Sequence, residues 1–240
     1  MTRGPIVTLP YLSPEELRAA GAEFKHWFDR RDYASWIVRE GLARDYLLEH
    51  LPKGERLLDI ACCTGEFMLE MQQHGYEAYG TDVDDYIRFP EVKSRFQAVD
   101  SSLERFPYPD GFFGAVTLLE ALDHLENPYH AFREIHRVLK PRGIFICSGS
   151  NAFNIWNRLR FLRRGDLYEW RKESNHVSPL TKGVLEKSLF ALFELERMAF
   201  DKGYAPYLHL ISKRLSKILP RGELFSKHAA YFLRKKEKPV

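Results

Sequence analysis

At 240 residues the chain is long enough for one sizeable core with a small appendage. Its 45% apolar and 29% charged content excludes a disordered or fibrous chain. No apolar run approaches the roughly 18–20 residues that span a bilayer, and the stretch carrying Pro5, Pro10 and Pro14 has no apolar leader core, so a cytoplasmic location is expected.

Residues 1–52 read as a helical N-terminal cap. Ser13 caps a helix that opens on Pro14, Glu15 and Glu16, and Phe24, Trp27 and Phe28 make an apolar stripe along it. A second helix is expected over 33–50, where Trp36, Ile37, Leu42, Tyr46 and Leu47 recur near helical spacing. Pro52 and Gly54 then break the pattern.

From residue 53 onward strand and helix signals alternate. Strands are expected at 56–60, 77–81, 95–99, 113–119 and 143–148, with helices at 65–74 and 128–139 and a short turn near 84–88. Lys140, Pro141, Arg142 and Gly143 read as a helix stop and a turn. Such alternation predicts a doubly wound α/β fold with helices on both faces of a mostly parallel sheet. Beyond Ser150 the rhythm loosens, with helices expected over 153–162, 181–192 and 207–219 and two further strands at 193–200 and 229–233. The segments 151–180 and 202–226 read as insertions on the substrate side.

The most informative stretch is 56–67. An apolar run ends at Asp59, passes through Ala61, Cys62, Cys63 and Thr64 to Gly65, and enters an amphipathic helix. That is a strand, a tight turn and a helix N-terminus, the place where open α/β sheets bind ligands. A second strand ends in Asp82, where a carboxylate can take both hydroxyls of a ribose. Together they predict a nucleoside-cofactor site. The cysteines Cys62, Cys63 and Cys147 match no metal-binding spacing, so reduced thiols and no metal are expected.

These residues resemble the class I S-adenosylmethionine-dependent methyltransferases. Residues 58–65 resemble the first motif of that family, L-D-[IV]-G-C-G-T-G, and Asp82 matches the acidic end of its second strand. Val99 and Asp100 match the close of the third strand, and residues 106–113 (FPYPDGFF) resemble the lead into the fourth. Residues 119–125 (LEALDHL) resemble the E-v-l-e-H-l that follows it, and 139–143 (LKPRG) the turn before the fifth. Later residues, among them Ser150, Asn151, Trp156 and His176, resemble the branch that contains methionine-biosynthesis-type and ubiquinone-type enzymes.

The resemblance implies a Rossmann-like seven-stranded sheet with an antiparallel last strand, and S-adenosylmethionine as cofactor with S-adenosylhomocysteine as product. It implies cofactor contacts from Asp59, Ala61, Cys62, Cys63, Gly65, Asp82, Val83, Asp100, Ser101, Leu119 and Glu120. His124 and His176 are rival candidates for a general base, since an unperturbed histidine titrates near neutral pH. The acceptor expected is a hydroxyl, ahead of an amine or carboxylate, on a small-molecule, sugar or lipid-linked substrate.

Three positions depart from the family pattern. Ala61 replaces a glycine and is expected to be harmless, being nearly as small. Cys63 replaces the central glycine and carries strain if its φ is positive, while Gly114 stands where the family has an aspartate. Charge is uneven: residues 202–240 hold ten Lys/Arg against two Glu and 158–172 six against two acids, leaving −9 elsewhere within a total of +3. The basic C-terminal segment can rest on an anionic membrane, cover the substrate cleft or be a solvated rim. Nucleic acid as substrate, and a catalytically inactive module of the same fold, are the alternatives. The sequence carries no signal for oligomeric state.

Overall fold

The computed structural model of the chain describes residues 37–172, 174–201 and 220–237. The helix start at Ser13, the aromatic group Phe24, Trp27, Phe28, Tyr33 and Trp36, and the basic helix expected over 207–219 lie outside the described residues.

The described strands are β1 (Arg56–Ile60), β2 (Glu77–Asp82), β3 (Phe96–Ala98), β4 (Phe113–Leu118), β5 (Leu139–Ser150), β6 (Phe193–Phe200) and β7 (His228–Lys235). They form one seven-stranded sheet in the order β3-β2-β1-β4-β5-β7-β6. β1 to β5 pair in parallel, and β7 runs antiparallel to both β5 and β6. The helices are α1 (Ile37–His50), α2 (Glu66–Gln73), α3 (Pro90–Lys93), α4 (Pro128–Val138), α5 (Ile155–Arg164), α6 (Lys182–Lys187) and α7 (Leu189–Leu192). The mostly parallel α/β sheet expected from sequence, with its antiparallel last strand, is the one found.

Side-chain alternation along the central strands divides the core in two. On one face Leu58, Ile60, Val116, Leu118, Phe145 and Cys147 pack with Phe132, Ile135 and Val138 of α4. On the other, Leu57, Ala115, Ile144 and Ile146 pack with Ala43, Tyr46 and Leu47 of α1 and Phe67, Met68 and Met71 of α2. Burial on both faces explains why β1 and β4 are mostly apolar, with Asp59 and Thr117 as their buried polar residues. Gly80 lets α2 approach, because a Cβ there would lie 2.9 Å from Met68 Cε.

Three local expectations are corrected. The turn near 84–88 is not helical; the helical turn is α3, opened by Pro90 at its first position, while the carboxylates of Asp84 and Asp85 take the amides of Asp85 and Ile87. The helix expected over 181–192 is two, broken at Ser188, whose hydroxyl donates to the Val184 carbonyl at 2.7 Å. Residues 140–143 lie within β5, where Arg142 takes a φ of +59° and the pairing with β4 shifts between Phe113 and Ala115.

Candidate active site

Strand order reverses about β1, so the carboxyl ends of β1, β2 and β4 surround the switch point of the sheet. After β1 the chain bends through Ala61, Cys63 and Gly65, all left-handed, at φ of +56°, +49° and +86°. Ala61 is therefore not the harmless replacement expected: its Cβ costs about 1–2 kcal/mol in that conformation, as does that of Cys63. The bend is held at several points. The Gly65 amide donates to the Cys62 carbonyl at 2.9 Å, the Cys62 amide to the Thr81 carbonyl at 3.1 Å, and the Arg88 amide to the Thr64 carbonyl at 3.1 Å.

Asp82 meets this bend. One carboxylate oxygen accepts from the Cys63 amide at 2.9 Å and the other from the Val83 amide at 2.8 Å. Burial pushes the Asp82 pKa up to about 6, against the pull of those two amides. Each carboxylate oxygen offers two acceptor positions, so one on each stays available to a diol. Val83 presents an exposed side chain, and the half-buried phenol of Tyr86 follows in the same loop, its pKa pushed up to about 12 by partial burial and then by Asp82.

Asp59 lies one strand away on the same face of the sheet as Leu57, in register with Thr117 of β4. The Thr117 hydroxyl donates to it at 2.7 Å, and burial holds its pKa up at about 8. Burial thus favours the protonated form of both acids, Asp59 more strongly than Asp82. The carboxylate of Asp100 accepts from the Ser102 amide at 2.8 Å, a turn-capping bond, and Ser101 is buried beside it. All three thiols are free; Cys62 and Cys147 are buried, and burial pushes all three thiol pKa values up.

After β4, Leu119 is buried and Glu120 is left-handed at φ +56°. The Glu120 amide donates to the Ser148 hydroxyl at 3.0 Å, which in turn donates to the Glu120 carboxylate at 2.7 Å. His228 faces Glu120 at 4.0 Å through Nε2 and Asp201 at 2.8 Å through Nδ1. Sequence reading missed Asp201 and His228. They lie at the ends of β6 and β7, and only strand pairing brings them to this position.

His124 and His176, expected as rivals, are neighbours with ring centroids 4.4 Å apart. A 3-10 turn over Leu122–His124 holds the first, while the Asp123 carbonyl accepts the amides of Val177 and Ser178 and so fixes the loop that carries the second. Gly114 also finds its reason: a Cβ there would lie 2.8 Å from the Glu55 carboxylate, which pairs with Lys140 at 2.6 Å.

Residues 58–147 match the family model described as a methyltransferase domain. The 27-O-demethylrifamycin SV methyltransferase of Amycolatopsis mediterranei is 32% identical over 134 residues, covering 47% of this chain and 46% of its own. The demethylmenaquinone methyltransferase of Symbiobacterium thermophilum is 31% identical over 134 residues, 51% of each. This chain spans about half the length of these curated relatives. A SAM-dependent methyltransferase of Archaeoglobus fulgidus shares the fold at a TM-score of 0.56 and 18% identity, over 85% of this chain and 100% of its own. Residues 58–147 thus match a methyltransferase domain whose motifs lie on the strand ends of a 3-2-1-4-5-7-6 sheet, and over that segment the chain is similar to the class I S-adenosylmethionine-dependent methyltransferases.

Proposed function

We propose that the chain transfers the methyl group of S-adenosylmethionine to a hydroxyl of a small-molecule, sugar or lipid-linked acceptor. The observation that carries this reading is the bond from the Cys63 amide to the Asp82 carboxylate, which joins the small-residue bend to the diol-binding acid. Asp82 would hold the ribose hydroxyls, Val83 would offer apolar surface to the adenine, and Asp100 with Ser101 would meet its edge. Asp59, the bend over 61–65, Leu119 and Glu120 would surround the methionine half. The bound cofactor supplies an activated methyl group, so the protein has to orient the acceptor, exclude water and take a proton.

His124 suits the last task. Its Nδ1 faces the Asn175 carbonyl at 3.3 Å, and a carbonyl only accepts, so Nδ1 keeps its hydrogen and Nε2 carries the lone pair. Burial lowers its pKa, which keeps that lone pair available at neutral pH. A hydroxyl acceptor accords with the name of the rifamycin relative, whose methyl goes to an oxygen. Among the described residues no helix is long and apolar enough to cross a membrane, and three free thiols suit the cytoplasm.

Incubation with S-adenosylmethionine and a panel of hydroxylated phenols, sugars and polyketides, read by mass spectrometry, tests the proposal. Expected is a product heavier by one methyl on oxygen, with one S-adenosylhomocysteine formed per turnover. Transfer only to amines or to ring carbon would overturn the hydroxyl assignment.

A further inference from the structure

Asp123, His124 and His176 each present one ligand atom, and these atoms all lie within 4.8 Å of one another. The carboxylate is 4% exposed, and among the described residues no lysine or arginine pairs with it. The nearest basic atom among the described residues is His176 Nδ1 at 3.5 Å, too far for a hydrogen bond. That nitrogen is buried and has no hydrogen-bond partner among the described residues. A second carboxylate oxygen, from Glu169, stands 4.0 Å from the same nitrogen. A buried acid without a cation, facing a buried nitrogen without a partner, is a costly arrangement unless something positive sits between them.

The spacing suits an ion. Four ligands around a zinc at 2.0–2.1 Å stand about 3.3–3.4 Å apart; one of the three pairs, Asp123 and His176, is 3.5 Å apart, and the other two, within 4.8 Å, would draw in as the ion binds. The Asn175 carbonyl fixes the His124 tautomer, as the outer partner of a ligating imidazole does, and directs the bare Nε2 away from it. We propose that Asp123, His124 and His176 bind a divalent first-row transition cation, zinc, manganese or iron(II), through one carboxylate and two imidazoles. This goes against the expectation of no metal, which rested on the cysteines alone. Three protein ligands leave positions open for water or an acceptor oxygen, and with His124 Nε2 on the cation the acceptor's proton would pass to a cation-bound hydroxide, giving water, instead of to His124. That last consequence rests on the methyltransferase reading, whereas cation binding does not.

The test uses the full chain, tag removed and chelator-treated, titrated with Zn2+ and Mn2+ by calorimetry and with Co2+ by visible absorption. No nucleoside is present, so the outcome is independent of methyl transfer. Expected is one equivalent bound, with His176→Gln and His124→Gln each weakening it at least about 10-fold while melting within a few degrees of the parent. Asp123 also accepts the Ser150 amide at 3.3 Å, so Asp123→Asn is interpreted only alongside those two. Saturable binding that survives the double histidine variant, or no saturable binding by the folded parent, overturns the proposal.

Discussion

The amide of Cys63 and the carboxylate of Asp82 are 19 residues apart in sequence and 2.9 Å apart in space. The bond ties the left-handed bend after β1 to the tip of β2. It places a strained backbone, at φ +49°, against a buried acid. The strain is sustained because β1 and β2 are paired along five residues, from Arg56 with Glu77 to Ile60 with Thr81.

Gly65 separates conformational strain from steric conflict. Its φ is +86° and a Cβ would lie 2.9 Å from Ile87 Cδ1, whereas Gly165, at φ +75°, has open space around the same position. Gly65→Ala is expected to cost more than Gly165→Ala, where only the left-handed penalty of about 1 kcal/mol applies. Thermal denaturation of both variants checks it, at roughly 2–4 °C per kcal/mol for a chain of this size. Equal losses would show that Ile87 yields freely.

Asp59 should leave a pH signature on stability. Its folded pKa, about 8, lies above the unfolded carboxylate value, so the folded state holds a proton that the unfolded state releases. Its contribution therefore falls as pH rises from about 4 to about 8 and is level above that. Asp59→Asn keeps an acceptor for Thr117 and carries no charge. Its melting temperature is expected to exceed the parent's by several degrees at pH 8.5 and by much less at pH 5. A constant difference across that range would show that Asp59 is ionised throughout.

Arg137 pins the segment that leads into β4. Its guanidinium donates to the carbonyls of Tyr108 at 2.8 Å and Phe106 at 3.0 Å, and pairs with Glu134 at 2.6 Å. Asp110 is a fourth partner, at 2.8 Å. Arg137→Ala is expected to destabilise by about 2–3 kcal/mol, since the Tyr108 and Phe106 carbonyls each lose a charged donor and the half-buried Glu134 loses its cation. Arg137→Lys should recover little, because an ammonium cannot span the planar fork. Urea denaturation of both variants measures it, and full recovery by lysine would mean that charge alone matters.

Much of this was legible in the sequence, for a physical reason. Strands buried on both faces must be largely apolar, so β1 and β4 announced themselves, and Gly65 in the bend after β1 and Asp82 at the end of β2 followed. The misses are long-range. Asp123 looked like one polar residue in LEALDHL until the 174–178 loop folded over it. Asp201 and His228 meet only because β6 and β7 pair in register, Phe200 with Ala229. The pause at Ser188 comes from one hydroxyl turning back on the chain, a local competition that helical periodicity does not register.

Calorimetric titration of S-adenosylmethionine and S-adenosylhomocysteine into the parent, Asp82→Asn and Asp82→Ala tests the central claim most directly. The parent should bind one equivalent of each, and Asp82→Ala should bind at least about 100-fold more weakly, the loss of two hydrogen bonds to a charged acceptor. Asp82→Asn, which keeps one acceptor oxygen, should fall between them. A folded parent that binds neither compound, or an Asp82→Ala variant of unchanged affinity, would contradict the account.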